Sequence, residues 1–387
     1  MGDRIDRAVA RARQDAQQRY VPHASAQVAR PRRRAIGDPQ APLEKFLAIL
    51  EGHALLGDDG KLAPDVLLVS LGDHFDWGGA QERQTAAADA LAILSWLAAH
   101  PPDQVVLLLG NHDLARVAEL ADLDLPRYQQ ARAEADRAYR GGHPDPGEER
   151  AFVARYPFVG GSEALARDLS SFEPPQRERV RQLLEARRFR LAFPAAEDLL
   201  LVHAAVTDDD LSRIGVPPQK RWSAPKVAQA LNGFFDRLIE SWDGSEPLEL
   251  SPLDRTQSAA TGKGRGILHQ RPAHPAHSTA EELDGPPRRR FDPRGLPPGL
   301  IQVVAHVRDG KCRQLLRPWV DTPEPPEGAL RRLITDGDRV GYGPGPALPA
   351  ERHTAQMLFA DGGMYWTPAE RYALVDLDTR GPAARAG

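Results

Sequence analysis

Five short polar clusters in this chain could do chemistry. They are Gly37-Asp38-Pro39-Gln40, Gly72-Asp73-His74-Phe75-Asp76-Trp77-Gly78, Gly110-Asn111-His112-Asp113, Val202-His203-Ala204 and Val304-Ala305-His306, and each comes directly after an apolar run. Asp, Asn, Gln and His supply the oxygen and nitrogen donors that Mn²⁺, Fe and Zn²⁺ accept. A carboxylate shared by two cations holds them roughly 3.5–4 Å apart, the spacing that clamps a phosphoryl group during in-line displacement. A lone histidine after an apolar run is ordinarily a packed residue. His203 and His306 therefore gain their weight from the clusters that precede them.

The elements that must carry these clusters are legible from the pattern. Val66–Leu71, Val105–Leu109, Leu199–Val202 and Ile301–Val304 are apolar throughout, as strands covered on both faces are. A shorter strand is expected at Arg34–Gly37. A helix follows from Pro42, a residue suited to the first helical turn, with Leu43, Phe46, Leu47 and Leu50 on its apolar face. Ala86–Ala99 spells a crossover helix. The resulting β-α-β-α-β order puts the clusters at the carboxyl ends of strands, where an open α/β sheet builds its site.

The rest of the chain decorates that unit. Residues 1–34 form a polar helix, near Arg4–Arg19, and an arginine-rich linker. A main unit spans 35–380, interrupted by a charged helical cap at about 116–190 and a proline-rich insertion at about 208–300, with partial helix at Pro225–Trp242. Strands near Arg332–Thr335, Gln356–Ala360 and Tyr372–Leu377 follow, and 381–387 is expected to fray. The 387 residues carry 50 basic and 54 acidic side chains, a net charge of -4, so no global field draws nucleic acid. One cysteine, Cys312, excludes a disulfide framework and a cysteine-rich zinc site. No apolar run approaches the roughly 18 residues of a membrane span, and the charged opening Met-Gly-Asp-Arg lacks a signal-peptide core. The expectation is a soluble, cytoplasmic protein.

The series GDPQ, GDHFDWG, GNHD, VHAAV and VVAHV resembles the calcineurin-like metallophosphoesterase superfamily. The spellings LLLGNHDLA, LLLVHAAV, VVAHVRDGK and MLFADGGMY are most similar to its branch of phosphoprotein phosphatases and symmetrical diadenosine tetraphosphatases. The resemblance implies a four-layer α/β/β/α sandwich of two mixed β-sheets with helical cap insertions, and hydrolysis of a phosphate ester at a dinuclear metal site. It implies that Asp38, Gln40 and Asp73 bind a first metal, that Asp73 bridges to a second, and that Asn111, His203 and His306 complete the second. A metal-bridging hydroxide would be the nucleophile. His112 would be the general acid and Asp76 its orienting partner; Asp113 would serve packing or hydrogen bonding.

Two departures from the superfamily pattern bear on chemistry. Gln40 stands where a histidine is usual, and its harder amide oxygen favours Mn²⁺ over Fe or Zn²⁺. His74 is a weak candidate to replace it, since adjacent residues at a strand end diverge. Trp77 stands where the phosphatase branch has a phosphate-gripping arginine. Arg116 and Arg271 are the candidates to supply that charge, the second from the segment Gly262-Lys263-Gly264-Arg265-Gly266 with His269, Arg271, His274 and His277. The expected partner is a phosphorylated small molecule, nucleotide or protein. The competing expectations are a serine/threonine-type phosphoprotein phosphatase, or an inactive protein that binds metal or phosphate without turnover.

Overall fold

Strands that are apolar on both faces need two covers, and here one cover is a second sheet. The computed structural model describes residues 2–26, 28–277, 287–320, 322–344 and 355–385. Its strands, numbered for the two main sheets, are β1 (Arg32–Ile36), β2 (Val66–Ser70), β3 (Val105–Leu108), β4 (Phe189–Arg190), β5 (Ala192–Pro194), β6 (Leu199–Val202), β7 (Ile301–Val304), β8 (Arg331–Thr335), β9 (Val340–Gly343), β10 (Ala355–Phe359), β11 (Val375–Asp376) and β12 (Gly381–Pro382). The first sheet runs β12-β11-β1-β2-β3-β4 and the second β9-β8-β10-β7-β6-β5.

Both sheets are mixed. Strands β1 to β4 are mutually parallel, while β11 joins β1 antiparallel. In the second sheet β6, β7 and β10 are parallel, β5 and β8 run against them, and β9 pairs antiparallel with β8. The period of two divides each central strand between two cores. Val69, Leu71, Val106, Leu108, Leu199, Leu201, Val303 and Leu358 pack sheet against sheet. Their alternates Leu68, Val105, Leu107, Leu200, Val202, Val304 and Phe359 join the core under the helices. This is an α/β protein built on two packed mixed sheets.

The helices are α1 (Gly2–Gln17), α2 (Leu43–Gly52), α3 (Arg83–Ala98), α4 (Asn111–Ala115), α5 (Leu125–Ala138), α6 (Pro146–Arg155), α7 (Pro174–Glu185), α8 (Asp208–Arg213), α9 (Ala224–Ser241) and α10 (Asp309–Leu316). Helix α1 lies against α2 and α3, with Ala8 and Ala12 fully buried. Within the segment expected as a cap, α5, α6 and the π-helical turn Ala164–Asp168 share a core of Leu120, Tyr128, Phe152, Tyr156 and Leu165. Helix α7 departs from that expectation, since Val180, Leu183 and Leu184 pack into the main core. The insertion at 208–300 holds α8, α9 and two-residue strands, and buries Leu253, Ile267, Leu268 and Phe291 in the same core; its residues 278–286 lie outside the described residues. The tail expected to fray is paired at Gly381–Pro382 against Val375–Asp376, and Arg385 donates to the Tyr372 carbonyl; residues 386 and 387 lie outside the described residues. No described helix is long and apolar enough to cross a membrane.

Candidate active site

Every strand that ends in a polar cluster points the same way within its sheet. Strands β1, β2 and β3 deliver Asp38, Asp73 and Asn111 at their carboxyl ends, and β6 and β7 deliver His203 and His306. The backbone turns hard at these points. Asp73, Asp76 and His306 have φ of 55°, 67° and 61°, the left-handed region that costs a non-glycine residue of order 1 kcal/mol or more. Gly110 permits the close approach of the first two loops, because a Cβ there would overlap the amide nitrogen and Oδ1 of Asp73. Asp113 then staples them, accepting from the backbone N–H groups of Asp73 (3.0 Å), His74 (3.1 Å) and Gly110 (2.9 Å).

The donors that converge are Asp73, His203 and His306, whose ligand atoms lie within 4.8 Å of one another. The Nδ1–H of His203 donates to the Leu71 carbonyl at 2.7 Å. Its Nε2 faces Asn111 Oδ1 at 3.2 Å and Asp73 Oδ2 at 3.5 Å. Three acceptors facing one another repel unless a proton or a cation lies among them, and the donor set of imidazole nitrogens, amide oxygen and carboxylate suits a divalent cation. The Nε2–H of His306 is tied to the His269 carbonyl at 3.1 Å, which fixes its ring and leaves Nδ1 as a ligand atom. Asp38 is buried and accepts the His306 backbone N–H at 3.2 Å. The Gln40 amide N–H₂ donates to the Phe75 carbonyl at 2.7 Å, leaving its oxygen as the atom able to bind a cation.

The charges in this pocket push one another in opposite directions. Burial, then the carboxylates of Asp361 and Asp73, hold Asp38 well above the usual carboxylate range. Burial works the same way on Asp73, but His203 and His112 outweigh it and hold Asp73 far below that range. Burial and the charges of Arg271 and His203 keep His306 neutral, well below the ordinary imidazole value.

Beside the convergent donors stands a second arrangement. His112 Nδ1 meets Asp76 Oδ2 at 2.9 Å, and its backbone N–H donates to Asp73 Oδ1 at 2.9 Å. Its Nε2 is 3.9 Å from Asp73 Oδ2. Burial alone would lower the His112 pKa, but Asp73 and Asp76 push it up to about 9. Asp76 is also buried, yet Arg116 and His112 keep it ionised below the ordinary value. Its other oxygen accepts from the Ser171 N–H (3.0 Å) and hydroxyl (2.8 Å). The arrangement is a cationic imidazole held by a fully engaged carboxylate.

Arg116 does not line the cleft as a phosphate grip would. It has no exposed surface, donates to Asp76 Oδ2 at 2.8 Å, Gln176 Oε1 at 3.1 Å and the His112 carbonyl at 3.2 Å, and lies 4.5 Å from the Phe75 ring. Its charge is spent on Asp76. Arg271 differs, because no described carboxylate pairs with it and its buried Nε has no partner. His74 is not a ligand, since Asp113 (3.0 Å) and Ser70 (2.9 Å) occupy both ring nitrogens.

Two residues at the site, Asp361 and Ser171, went unnoticed in the sequence, and a third, His269, stood out there only as part of the segment around Arg271. Asp361 follows β10 by the same strand-end rule, is buried, and accepts the Gly363 N–H at 2.9 Å. His269 stands beside His306 with ring centroids 6.4 Å apart. Ser171 comes from the irregular chain after the π-helical turn, where no spacing marks it.

The strand ends of this two-sheet sandwich gather carboxylates, an amide and imidazoles, donor types that divalent cations accept, beside an ion-paired histidine. Residues 32–216 match the sequence model of the family described as calcineurin-like phosphoesterase. That segment is just under half of the chain, and over it the chain is similar to calcineurin-like phosphoesterases. No curated protein matches it significantly. Among solved structures it is similar to a cold-active protein-tyrosine phosphatase of a psychrophilic Shewanella species, at 13% identity over 94% of this chain and 78% of that one, with TM-score 0.36. It is also similar to a protein serine/threonine phosphatase from Saccharomyces cerevisiae with similarity to human phosphatase PP5, at 13% identity over 92% and 76%, with TM-score 0.34.

Proposed function

We propose that this chain hydrolyses a phosphate ester at a dinuclear divalent-metal centre, with His112 as the general acid. Asp38, Gln40 and Asp73 would hold one cation, and Asp73, Asn111, His203 and His306 the other. When bound, the cations supply positive charge to the phosphoryl oxygens and lower the pKa of the attacking water. The observation that supports this reading is the Nε2 of His203 facing Asn111 Oδ1 and Asp73 Oδ2, with His112 Nε2 3.9 Å from that same Asp73 oxygen.

The chain's own residues do the remaining work. As the ester P–O bond breaks, the His112 Nε2 proton passes to the leaving oxygen, and Asp76 keeps the ring charged and aimed. Arg271 is the guanidinium left to bind phosphate oxygens, since Arg116 is consumed by Asp76. Gln40 favours Mn²⁺ over Fe or Zn²⁺. The intact His112–Asp76 pair favours turnover over mere binding, because holding a metal does not require a buried imidazolium.

Asp73→Asn tests the proposal. It removes the shared charge, so the purified variant should lose both metals by elemental analysis and all hydrolysis of a panel of phosphate esters in added Mn²⁺. Two metals retained per chain would overturn the assignment.

A further inference from the structure

The position after Asp76 carries an aromatic ring, and that ring begins a wall. Trp77 is 6% exposed and stacks on Tyr365, with centroids 5.5 Å apart and planes at 30°. Tyr365 meets Trp366 edge to face at 5.2 Å. Trp366 is 61% exposed, and the other described large hydrophobic residues so exposed are Val21 and Val28. The Arg308 guanidinium lies 4.2 Å from the Trp366 ring centroid. The buried Trp77 Nε1–H has no acceptor.

This wall is placed and held. Arg308 lies two residues beyond His306, and Trp366 lies five beyond Asp361. Arg331 donates to the carbonyls of Val307 (3.1 Å) and Asp361 (2.6 Å), tying the loop after β7 to the loop after β10. The Trp366 N–H donates to Gly363 at 3.0 Å, and the Thr367 hydroxyl to Gly362 at 2.6 Å. A cavity of about 170 Å³ lies among Arg308, Glu327, Asp361, Gly362, Gly363 and Trp366. Its lining mixes four carboxylates, Asp309, Glu324, Glu327 and Asp361, with the guanidiniums of Arg308 and Arg331, which suits hydroxyl groups that both donate and accept better than it suits a second phosphate.

An exposed indole beside a catalytic edge is a costly residue to leave in water unless a planar partner covers it. A guanidinium stacked on it stiffens the platform and adds cation–π attraction to a ring laid alongside. Resting on the phosphoesterase reading above, we propose that Trp366 with Arg308 binds the base of a nucleoside phosphate, whose sugar occupies the cavity bounded by Asp361.

The test compares adenosine 5′-monophosphate with ribose 5-phosphate, which lacks only the base, and adds phenyl phosphate as a second ring. Base–aromatic stacking lost on truncation corresponds to about 5- to 150-fold. Trp366→Ala should therefore raise KM for the nucleotide by about that factor while leaving kcat and the KM of ribose 5-phosphate within about twofold. Trp366→Phe should restore most of the loss. Calorimetric titration with adenosine, which has no ester to hydrolyse, should show binding to the wild type and Trp366→Phe and its loss in Trp366→Ala. If no ester is hydrolysed but adenosine binding depends on Trp366, the reaction fails and the platform stands. If esters are hydrolysed with an unchanged nucleotide-to-sugar ratio, or only phenyl phosphate responds, the nucleoside assignment is overturned.

Discussion

Asp76→Asn should turn a pH-independent acid into a pH-dependent one. In the folded protein Asp76 touches both His112 Nδ1 and the buried Arg116, and His112 has its pKa pushed up to about 9, against burial, by Asp73 and Asp76. A general acid works only while protonated, so its contribution is complete below its pKa and lost as pH rises through it. A cation on Asp73 would cancel that carboxylate's share, so the share of Asp76 is what keeps His112 charged at neutral pH. An imidazole at its ordinary value of about 6.5 is only about 9% protonated at about pH 7.5, so a ring that Asp76 holds above that value is up to about tenfold more protonated there. Asp76→Asn should therefore cost up to about tenfold in kcat on an alkyl phosphate at about pH 7.5, and little near pH 5.5. His112→Ala should cost about 10²–10⁴-fold across that range. A p-nitrophenyl leaving group departs as a stable anion, so both losses should shrink on that substrate. The assay is a pair of pH–rate profiles on the two esters, with metal content measured for each variant. Superimposable alkyl-ester profiles for wild type and Asp76→Asn, or equal losses of His112→Ala on both esters, would refute the acid role.

Two further outcomes follow from other parts of the chain. Gln40→His replaces an amide oxygen with an imidazole nitrogen and breaks the 2.7 Å bond to Phe75, so activity should shift from Mn²⁺ toward Zn²⁺ or Fe; an unchanged metal profile would show that Gln40 is not a ligand. His100 is buried and neutral, donating from Nδ1 to the Trp96 carbonyl (2.8 Å) and accepting the Leu62 N–H (3.0 Å), and burial lowers its pKa to about 4. The unfolded chain takes up that proton near 6.5, so stability is complete above pH 6.5 and falls toward pH 4 by up to about 3 kcal/mol; His100→Gln should flatten that part of the urea-midpoint curve.

The proposed metal donors were legible largely because one physical rule places most of them. A strand covered on both faces spells a continuous apolar run, and the first polar residue after it falls at the strand's carboxyl edge. Asp73, Asn111, His203 and His306 obey this rule, whereas Asp38 follows Arg-Arg-Arg-Ala-Ile, a strand apolar only at its end. Asp361 obeys it too, but β10 was expected to run on through Ala360, and its polar neighbour drew no attention. Elements without that signature were hard to see. Strands β4 and β5 are two and three residues long, and β9 is Val-Gly-Tyr-Gly, where two glycines break the apolar run. Ser171 and His269 sit on irregular chain, where side-chain positions depend on tertiary packing rather than on periodicity.

Arg116 shows where type and spacing mislead. An arginine four residues after the general acid looks like a phosphate grip, and a free guanidinium there would serve as one. Residue four on a helical turn instead returns to the same face as His112, so Arg116 lies beneath the ring and donates to its carbonyl. Its charge goes to Asp76, and Gln176 continues the chain of bonds to the carbonyls of Ala87 and Ser171. Isolated, a buried Asp76 would be protonated and could not keep His112 charged; paired with Arg116 it remains an anion. In the proposed mechanism the arginine would thus act on the phosphate ester at one remove, through the protonation of His112. Trp77 then need not grip phosphate, and its position is free to begin an aromatic wall.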